Sequence, residues 1–254
     1  MTLSNIALCK EQLGVASSVA ILTGAGISAE SGVPTFRGNG GLWRDMRAET
    51  LATPEAFEEN PVLVWEFYDW RRTKLIELEP NPAHRALASL EKKISNFLLI
   101  TQNVDDLHRL GGSKKTLELH GNIWRTRCTK CLAVEENKVV PIFRDKNTND
   151  ATPSVETLPR CRCKGLLRPD IVWFGESLQP GIFEEAIRAV TDSEVMLVIG
   201  TSGVVEPAAS LATLAKQSNS FVIEVNPEKT PISPIADITI TENAAYALPL
   251  MIPA

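Results

Sequence analysis

Apolar positions fall in short, near-continuous runs, at residues 19–22, 97–100, 195–199 and 221–225. Each is the length of one strand, and unbroken hydrophobicity marks strands covered on both faces, as in parallel sheets. The intervening segments have a helical period instead. Residues 4–16 place Ile6, Leu8 and Leu13 on one side, and Thr53-Pro54, Asn60-Pro61 and Asn81-Pro82 are cap-plus-proline starts. The pattern predicts helices from Pro61 to Leu78, from Pro82 through Leu90, over 181–190 and over 207–216. Short strands are expected at 117–121, ending in His120 and Gly121, and at 238–240. The strand–helix pattern resumes at 170–175 after a polar interruption. Such alternation predicts an α/β fold with a mostly parallel sheet.

Polar residues gather where these strands end. The first strand runs straight into Gly24-Ala25-Gly26-Ile27-Ser28-Ala29, a permissive Gly-x-Gly-x-x-Ala fingerprint whose backbone amides suit a pyrophosphate. A tight structural turn fits the same residues. The second strand with an acidic ribose ligand, usual about 20 residues on in a dehydrogenase, is replaced by a glycine-rich loop over 33–41. Gln102, Asn103, Asp105 and Asp106 follow the strand at 97–101, at the edge where α/β sheets bind ligands.

With 254 residues, 44% hydrophobic and 22% charged, the chain is long enough for one large domain and an inserted module. A net charge of -5 argues against nucleic acid as a partner and mildly favours encounter with a cationic protein. No apolar run reaches membrane-spanning length and no leader pattern opens the chain, so a cytoplasmic location is expected. Cys9 stands alone. Cys128-x-x-Cys131 and Cys161-x-Cys163 bracket a polar stretch with little apolar period, and four thiolates are a structural zinc set. Free thiols or a redox pair are the alternatives. Of three histidines, His84 sits early in a helix, where capping is expected, and His108 suits a structural hydrogen bond. His120, beside a glycine at a strand end, suits a general base or a buried structural ring equally.

Taken in order, Gly24-Ala25-Gly26-Ile27-Ser28, residues 32–38, Thr101-Gln102-Asn103-Val104-Asp105, His120-Gly121, the cysteine pairs, Gly200-Thr201-Ser202 and Val225-Asn226 resemble the sirtuins, NAD-dependent protein lysine deacylases. The resemblance spans essentially the whole chain. It implies a Rossmann-like large domain (1–37, 80–124 and 168–254), a cofactor loop and helical insertion (38–79) and a small zinc-binding module (125–167). By similarity, Gly24, Ala25 and Gly26 hold the pyrophosphate, with Phe36 and Arg37 on the cofactor loop. Gln102, Asn103 and Asp105 line the nicotinamide and ribose pocket, while Gly200, Thr201, Ser202, Asn226 and Ala244 face the adenosine half. Val172, Trp173, Phe174, Gly175 and Glu176 resemble the segment that pairs with an extended acyl-lysine peptide. The implied chemistry begins with attack of the acyl oxygen on C1′ of the nicotinamide ribose. His120 then acts as base through the ribose hydroxyls and Asn103 helps position water, giving free lysine and 2′-O-acyl-ADP-ribose. NAD is consumed, one Zn2+ (at Cys128, Cys131, Cys161 and Cys163) is structural, and a monomer suffices. Two features depart from the family pattern: the single-residue spacing of the second cysteine pair, and Ala244 where a glycine often lies beside the adenine.

Val64, Tyr68, Arg71, Leu75 and Leu78 fall on one stripe of the Pro61 helix. An arginine within an apolar stripe needs an anion; a glutamate from elsewhere in the chain would serve, and so would a ligand carboxylate shared with Tyr68. Tyr68-Asp69-Trp70-Arg71 matches the Tyr-x-x-Arg pair of sirtuins that remove succinyl, malonyl or glutaryl groups, and Thr35 follows that class. Desuccinylation is therefore expected over deacetylation, with acetyl-lysine still accepted. A mono-ADP-ribosyltransferase and a non-catalytic NAD-responsive binder are the rival functions.

Overall fold

A computed structural model describes residues 3–34, 42–143 and 153–252. Phe36 and Arg37 of the expected cofactor loop lie outside the described residues. Helix α1 (Leu3–Val15) leads into β1 (Ser18–Thr23). After the glycine turn the chain forms a 3-10 helix, Ala25–Ser31, closed by Gly32 in the left-handed region. A small ribbon, β2 (Leu42–Trp43) and β3 (Met46–Arg47), opens the helical insertion of α2 (Ala48–Leu51), α3 (Pro54–Glu59) and α4 (Pro61–Leu75). Thr53 and Asn60 cap α3 and α4 through their side chains, as their spacing predicts. Helix α4 stops three residues short of the expected Leu78.

Next come α5 (Pro82–Glu91), β4 (Asn96–Thr101), α6 (Leu107–Leu110) and β5 (Thr116–Glu118). His120 falls in the turn after β5 rather than on the strand itself. The chain continues through β6 (Gly121–Cys128), β7 (Val134–Glu136) and β8 (Leu167–Ile171). Then follow α7 (Ile182–Thr191), β9 (Val195–Ile199), α8 (Ser210–Gln217), β10 (Phe221–Val225), β11 (Ile238–Ile240) and α9 (Ala244–Met251). Helix α9 is not apparent from the sequence pattern, which contains Pro249.

The main sheet has the order β11-β10-β9-β1-β4-β5, all parallel. Renumbered among themselves these strands run 6-5-4-1-2-3, the doubly wound Rossmann order. Alternate residues of β1 face opposite layers. Ile21 packs with Leu87 of α5 and Leu248 of α9, whereas Ala20 and Leu22 pack with Val190 of α7 and Leu211 of α8. Thr23 is level with Thr101 on β4 and Ile199 on β9, so Gly24, Gln102 and Gly200 emerge side by side at the switch point.

Strand β8 does not resume the parallel sheet. It pairs antiparallel with β6, and β7 completes a three-stranded sheet. Residues 172–175 form a turn after it, not a strand. This small sheet shares a core with the helical insertion, built on Trp65, Phe67, Tyr68, Ile123, Trp124 and Trp173.

Candidate active site

Gly24 and Gly26 lie against the turn after β9. The Gly24 amide donates to Ile199 O (3.0 Å) and that of Gly26 to Gly200 O (2.8 Å). A Cβ on Gly26 would come within 2.7 Å of the Gly200 backbone, and one on Gly200, whose φ is +59°, within 2.4 Å of Ile27 N. Two turns thus meet backbone to backbone, which only glycine permits. The glycines serve as a structural contact, and the same packing sets the turn at the sheet edge.

From the neighbouring strand, Gln102 donates its side-chain amide to Thr201 Oγ1 (3.0 Å), and Asn103 donates to Gly24 O (3.1 Å) and Ser28 Oγ (3.3 Å). Ser28 is completely buried and its hydroxyl donates to Asp105 Oδ2 at 2.8 Å. Burial raises the Asp105 carboxyl, partly countered by the Leu107 amide and Ser28. Ser28 is a hub the sequence reading did not single out; its position two residues past Gly26 was the available signal.

His120 enters from the turn between β5 and β6. Its Nδ1 is 3.0 Å from Gln102 O, and a carbonyl only accepts, so Nδ1 carries the proton and Nε2 keeps a lone pair. Burial holds the imidazole below its ordinary range, opposed by that hydrogen bond, so the neutral base predominates at pH 7. Ion pairs fix the turn from both sides. Glu118 meets Arg109 (3.1 Å) and Arg125 (2.8 Å), and Asp170 meets Arg125 (3.0 Å) and Arg127 (2.7 Å). The other two histidines are structural. His108 Nε2 lies 2.9 Å from Thr23 Oγ1, and His84 Nδ1 accepts from the Asn81 amide in a capping box.

Tyr68 is fully buried and Arg71 partly so, with the guanidinium carbon 5.9 Å from the centre of the Tyr68 ring. Burial lowers the Arg71 pKa, while Tyr68 and then Asp105 act in the opposite sense. This links the Tyr68–Arg71 pair to Asp105 at the end of the neighbouring strand.

The expected peptide-pairing segment is largely engaged within the chain. The Val172 amide donates to His120 O and that of Phe174 to Ala52 O, both at 2.9 Å. Glu176 takes both Arg168 terminal nitrogens (2.5 and 2.8 Å) and the Trp173 amide (2.8 Å), so its carboxylate holds the turn together. Gly175, at φ +86°, and half-exposed Phe174 remain on the surface. Asn226 is buried at the end of β10 and donates to Glu228 O (2.6 Å). Ala244 is the buried first residue of α9, and Ser202 is partly buried beside Thr201.

Cys128, Cys131, Cys161 and Cys163 place their sulfurs within 4.8 Å of one another. Cys128 and Cys163 are 3.5 Å apart, and Cys131 and Cys161 are 3.6 Å apart. A disulfide needs about 2.05 Å, whereas a tetrahedron of Zn–S bonds sets sulfurs roughly 3.8 Å apart. The donor set fits Zn2+. The short second pair reaches the site because Lys164 turns left-handed (φ +67°) and Gly165 leaves room, a Cβ there falling 2.6 Å from Cys128 Sγ. The Lys130 and Cys131 amides donate to the Cys128 sulfur at 3.3 and 3.5 Å, which favours the thiolate a metal requires.

Among known proteins, residues 24–207 match the Sir2 family model. The chain is 50% identical over 232 residues to an NAD-dependent protein deacylase of Aquifex aeolicus, covering 91% of this chain and 92% of that one. It is 47% identical over 243 residues to the mitochondrial NAD-dependent protein deacylase sirtuin-5 of Canis lupus familiaris, covering 90% and 78%. A crystal structure of a Sir2 homolog–NAD complex superposes with a TM-score of 0.88 at 42% identity, over 97% of this chain and 92% of that one. With one family model spanning the glycine turn, His120 and the four cysteines, the chain belongs to the Sir2 family.

Proposed function

We propose that this protein is an NAD-dependent protein lysine deacylase that prefers succinyl- and malonyl-lysine and retains activity on acetyl-lysine. One observation carries the reading. His120, with its proton on Nδ1 and an unprotonated Nε2, joins Asn103, Gln102 and the Gly24–Gly26 turn at the ends of neighbouring strands. NAD, when bound, supplies an electrophilic ribose carbon with nicotinamide as leaving group. The protein's part is to position and to move protons. The glycine turn and Thr201 cradle the phosphates and adenosine side, together with Ala25, Ser202, Asn226 and Ala244. Gln102, Asn103 and Asp105 orient the nicotinamide ribose, and Nε2 of His120 takes a proton from a ribose hydroxyl. Phe36 and Arg37 complete the proposed set of cofactor-binding residues. Phe174, Gly175 and the carbonyls of this turn receive the extended substrate backbone.

Zn2+ would be held by Cys128, Cys131, Cys161 and Cys163, with no position left for water, so its contribution is to folding. No helix among the described residues is long and apolar enough to cross a membrane, and thiolate ligation suits a reducing compartment, which supports a cytoplasmic enzyme.

The acyl preference rests on Arg71 with Tyr68, a charged fork beside a phenol, which suits a carboxylate. With NAD and matched acetyl-, succinyl- and malonyl-lysine peptides, mass spectrometry is expected to detect all three products, most from the acidic acyl groups. Arg71→Met should lower activity on succinyl-lysine by about a hundredfold, as expected for losing a charge-assisted pair, and spare acetyl-lysine. Equal losses on both peptides would refute the clamp.

A further inference from the structure

A phenol beside a carboxylate helps only by donating its proton, and nothing in a free hydroxyl compels that orientation. In this protein the oxygen of Tyr68 is already taken. The indole Nε1 of Trp173 donates to it at 2.8 Å, from a residue 105 positions away in sequence. Accepting that bond directs the phenol's own hydrogen elsewhere. Trp173 is 2% exposed and is held on several sides. Its ring packs on Phe57 with centroids 5.3 Å apart. The Arg168 guanidinium carbon lies 3.4 Å from the ring centre on its face. Glu176 grips Arg168 with both oxygens and also accepts the Trp173 amide, while Arg168 donates to Ile171 O at 2.8 Å. These contacts hold the indole ring in one orientation. That orientation fixes the direction of a single N–H.

We propose that Trp173 is a positioning residue for acyl selectivity, its indole N–H occupying the Tyr68 oxygen so that the phenol becomes a dedicated donor to an anionic acyl group, with Arg168 and Glu176 holding the indole in place. This rests on the reading of Tyr68 and Arg71 as the acyl clamp. Burial also raises the Tyr68 pKa, which keeps the donor proton on the phenol at neutral pH. Glu176, expected from the sequence to bind substrate directly, acts here through Trp173. A neutral acetyl group offers no carboxylate to Tyr68, so its turnover does not depend on this relay.

The test compares kcat/KM on succinyl- and acetyl-lysine peptides for the wild type, Trp173→Phe, Tyr68→Phe, the double variant and Arg71→Met. Trp173→Phe keeps an aromatic ring and deletes the donor. It should lower the succinyl-to-acetyl ratio about tenfold, mainly through KM for the succinyl peptide, as for one hydrogen bond to a charged group. In the Tyr68→Phe background the same change should leave the ratio unaltered. Should Trp173→Phe fail to fold, site-specific replacement of Trp173 by benzothienylalanine preserves the shape and removes only the N–H. If the ratio holds in either Trp173 variant while Arg71→Met lowers it, the clamp stands and the relay is wrong. Equal losses on both peptides would reduce Trp173 to a packing residue. If Arg71→Met leaves the ratio unchanged, the clamp itself fails and the relay falls with it.

Discussion

His120 works as a base only if its ring is neutral and correctly protonated, and the Gln102 carbonyl secures the second condition while burial secures the first. The proposed base acts unprotonated, and its pKa is held below the ordinary value of 6.5. The acid limb of kcat/KM should therefore fall below pH 6.5, with a plateau at pH 7 and above. His120→Asn should abolish turnover while leaving NAD affinity within a fewfold. A limb centred above pH 7 would contradict the burial argument. Counting residues along a helix found Tyr68 and Arg71, because their stripe is local. It missed their neighbour Arg72, whose side chain is completely buried. Arg72 Nε donates to Ile123 O (2.8 Å) and Nη1 to Asn137 Oδ1 (3.2 Å). Its charge is accommodated between Trp65 and Trp124, and burial draws its pKa down to about 10. The small sheet packs on a second side of α4, and no periodicity within residues 61–75 announces a partner 51 positions downstream. Trp173 was legible only as part of the 172–176 peptide segment, and its bond to Tyr68, from across the chain, was not.

At the scale of elements, the caps of α3, α4 and α5 and the strands of the parallel sheet were legible, because capping and double-sided burial are written locally. Strand β8 was not. Its residues Leu-Arg-Pro-Asp-Ile alternate charge with apolar positions, and its place is decided by the β6 partner and by the arginines that meet Asp170. The glycine turns illustrate another limit. The motif is visible in sequence, but that Gly24 and Gly26 pack on Gly200, across 174 positions from Gly26, is a property of the sheet order. Gly200→Ala would face both a positive φ and a 2.4 Å approach to Ile27 N. It should cost on the order of 2 kcal/mol or more of stability and weaken NAD binding at least tenfold, read by thermal unfolding and NAD titration. Gly14→Ala is the control. Gly14 lies in α1 with nothing within 4 Å of the added methyl, and the change should stabilise by about 0.5–1 kcal/mol without touching NAD affinity. A neutral Gly200→Ala would mean the turns can part without consequence.

Across the molecule, the active-site edge is tied to the helical layer beneath it by two buried imidazoles. His84 Nδ1 accepts the Asn81 amide, so its proton resides on Nε2, 3.3 Å from Ser28 Oγ, and Ser28 in turn donates to Asp105. The His108 ring lies edge-on to His84 with centroids 4.9 Å apart and reaches Thr23 at the end of β1. Protonating His84 would place a charge in the interior and remove the acceptor that caps α5. Burial first, and then the nearby Arg85, bring its pKa down from 6.5 to about 4, and burial lowers His108 likewise. The unfolded chain binds a proton at each site near pH 6.5 and the folded chain does not. The neutral rings therefore cost nothing above that pH, and stability falls as the pH drops from about 6.5 toward 4, by roughly 3 kcal/mol for His84 alone. The carboxyls of Asp69, Asp105 and Asp106, raised mainly by burial, act in the opposite sense. Loss of thiolate ligands in acid acts in the same sense as the histidines. A difference measurement separates these contributions. Urea midpoints of the zinc-saturated wild type and of His84→Gln should be compared at pH 7.5 and pH 5. The variant should be less stable at pH 7.5, where it loses the cap, yet lose distinctly less on acidification. Parallel pH dependences would show that His84 gains its proton as readily in the fold as outside it, and the buried link between sheet edge and helical layer would lose its electrostatic basis.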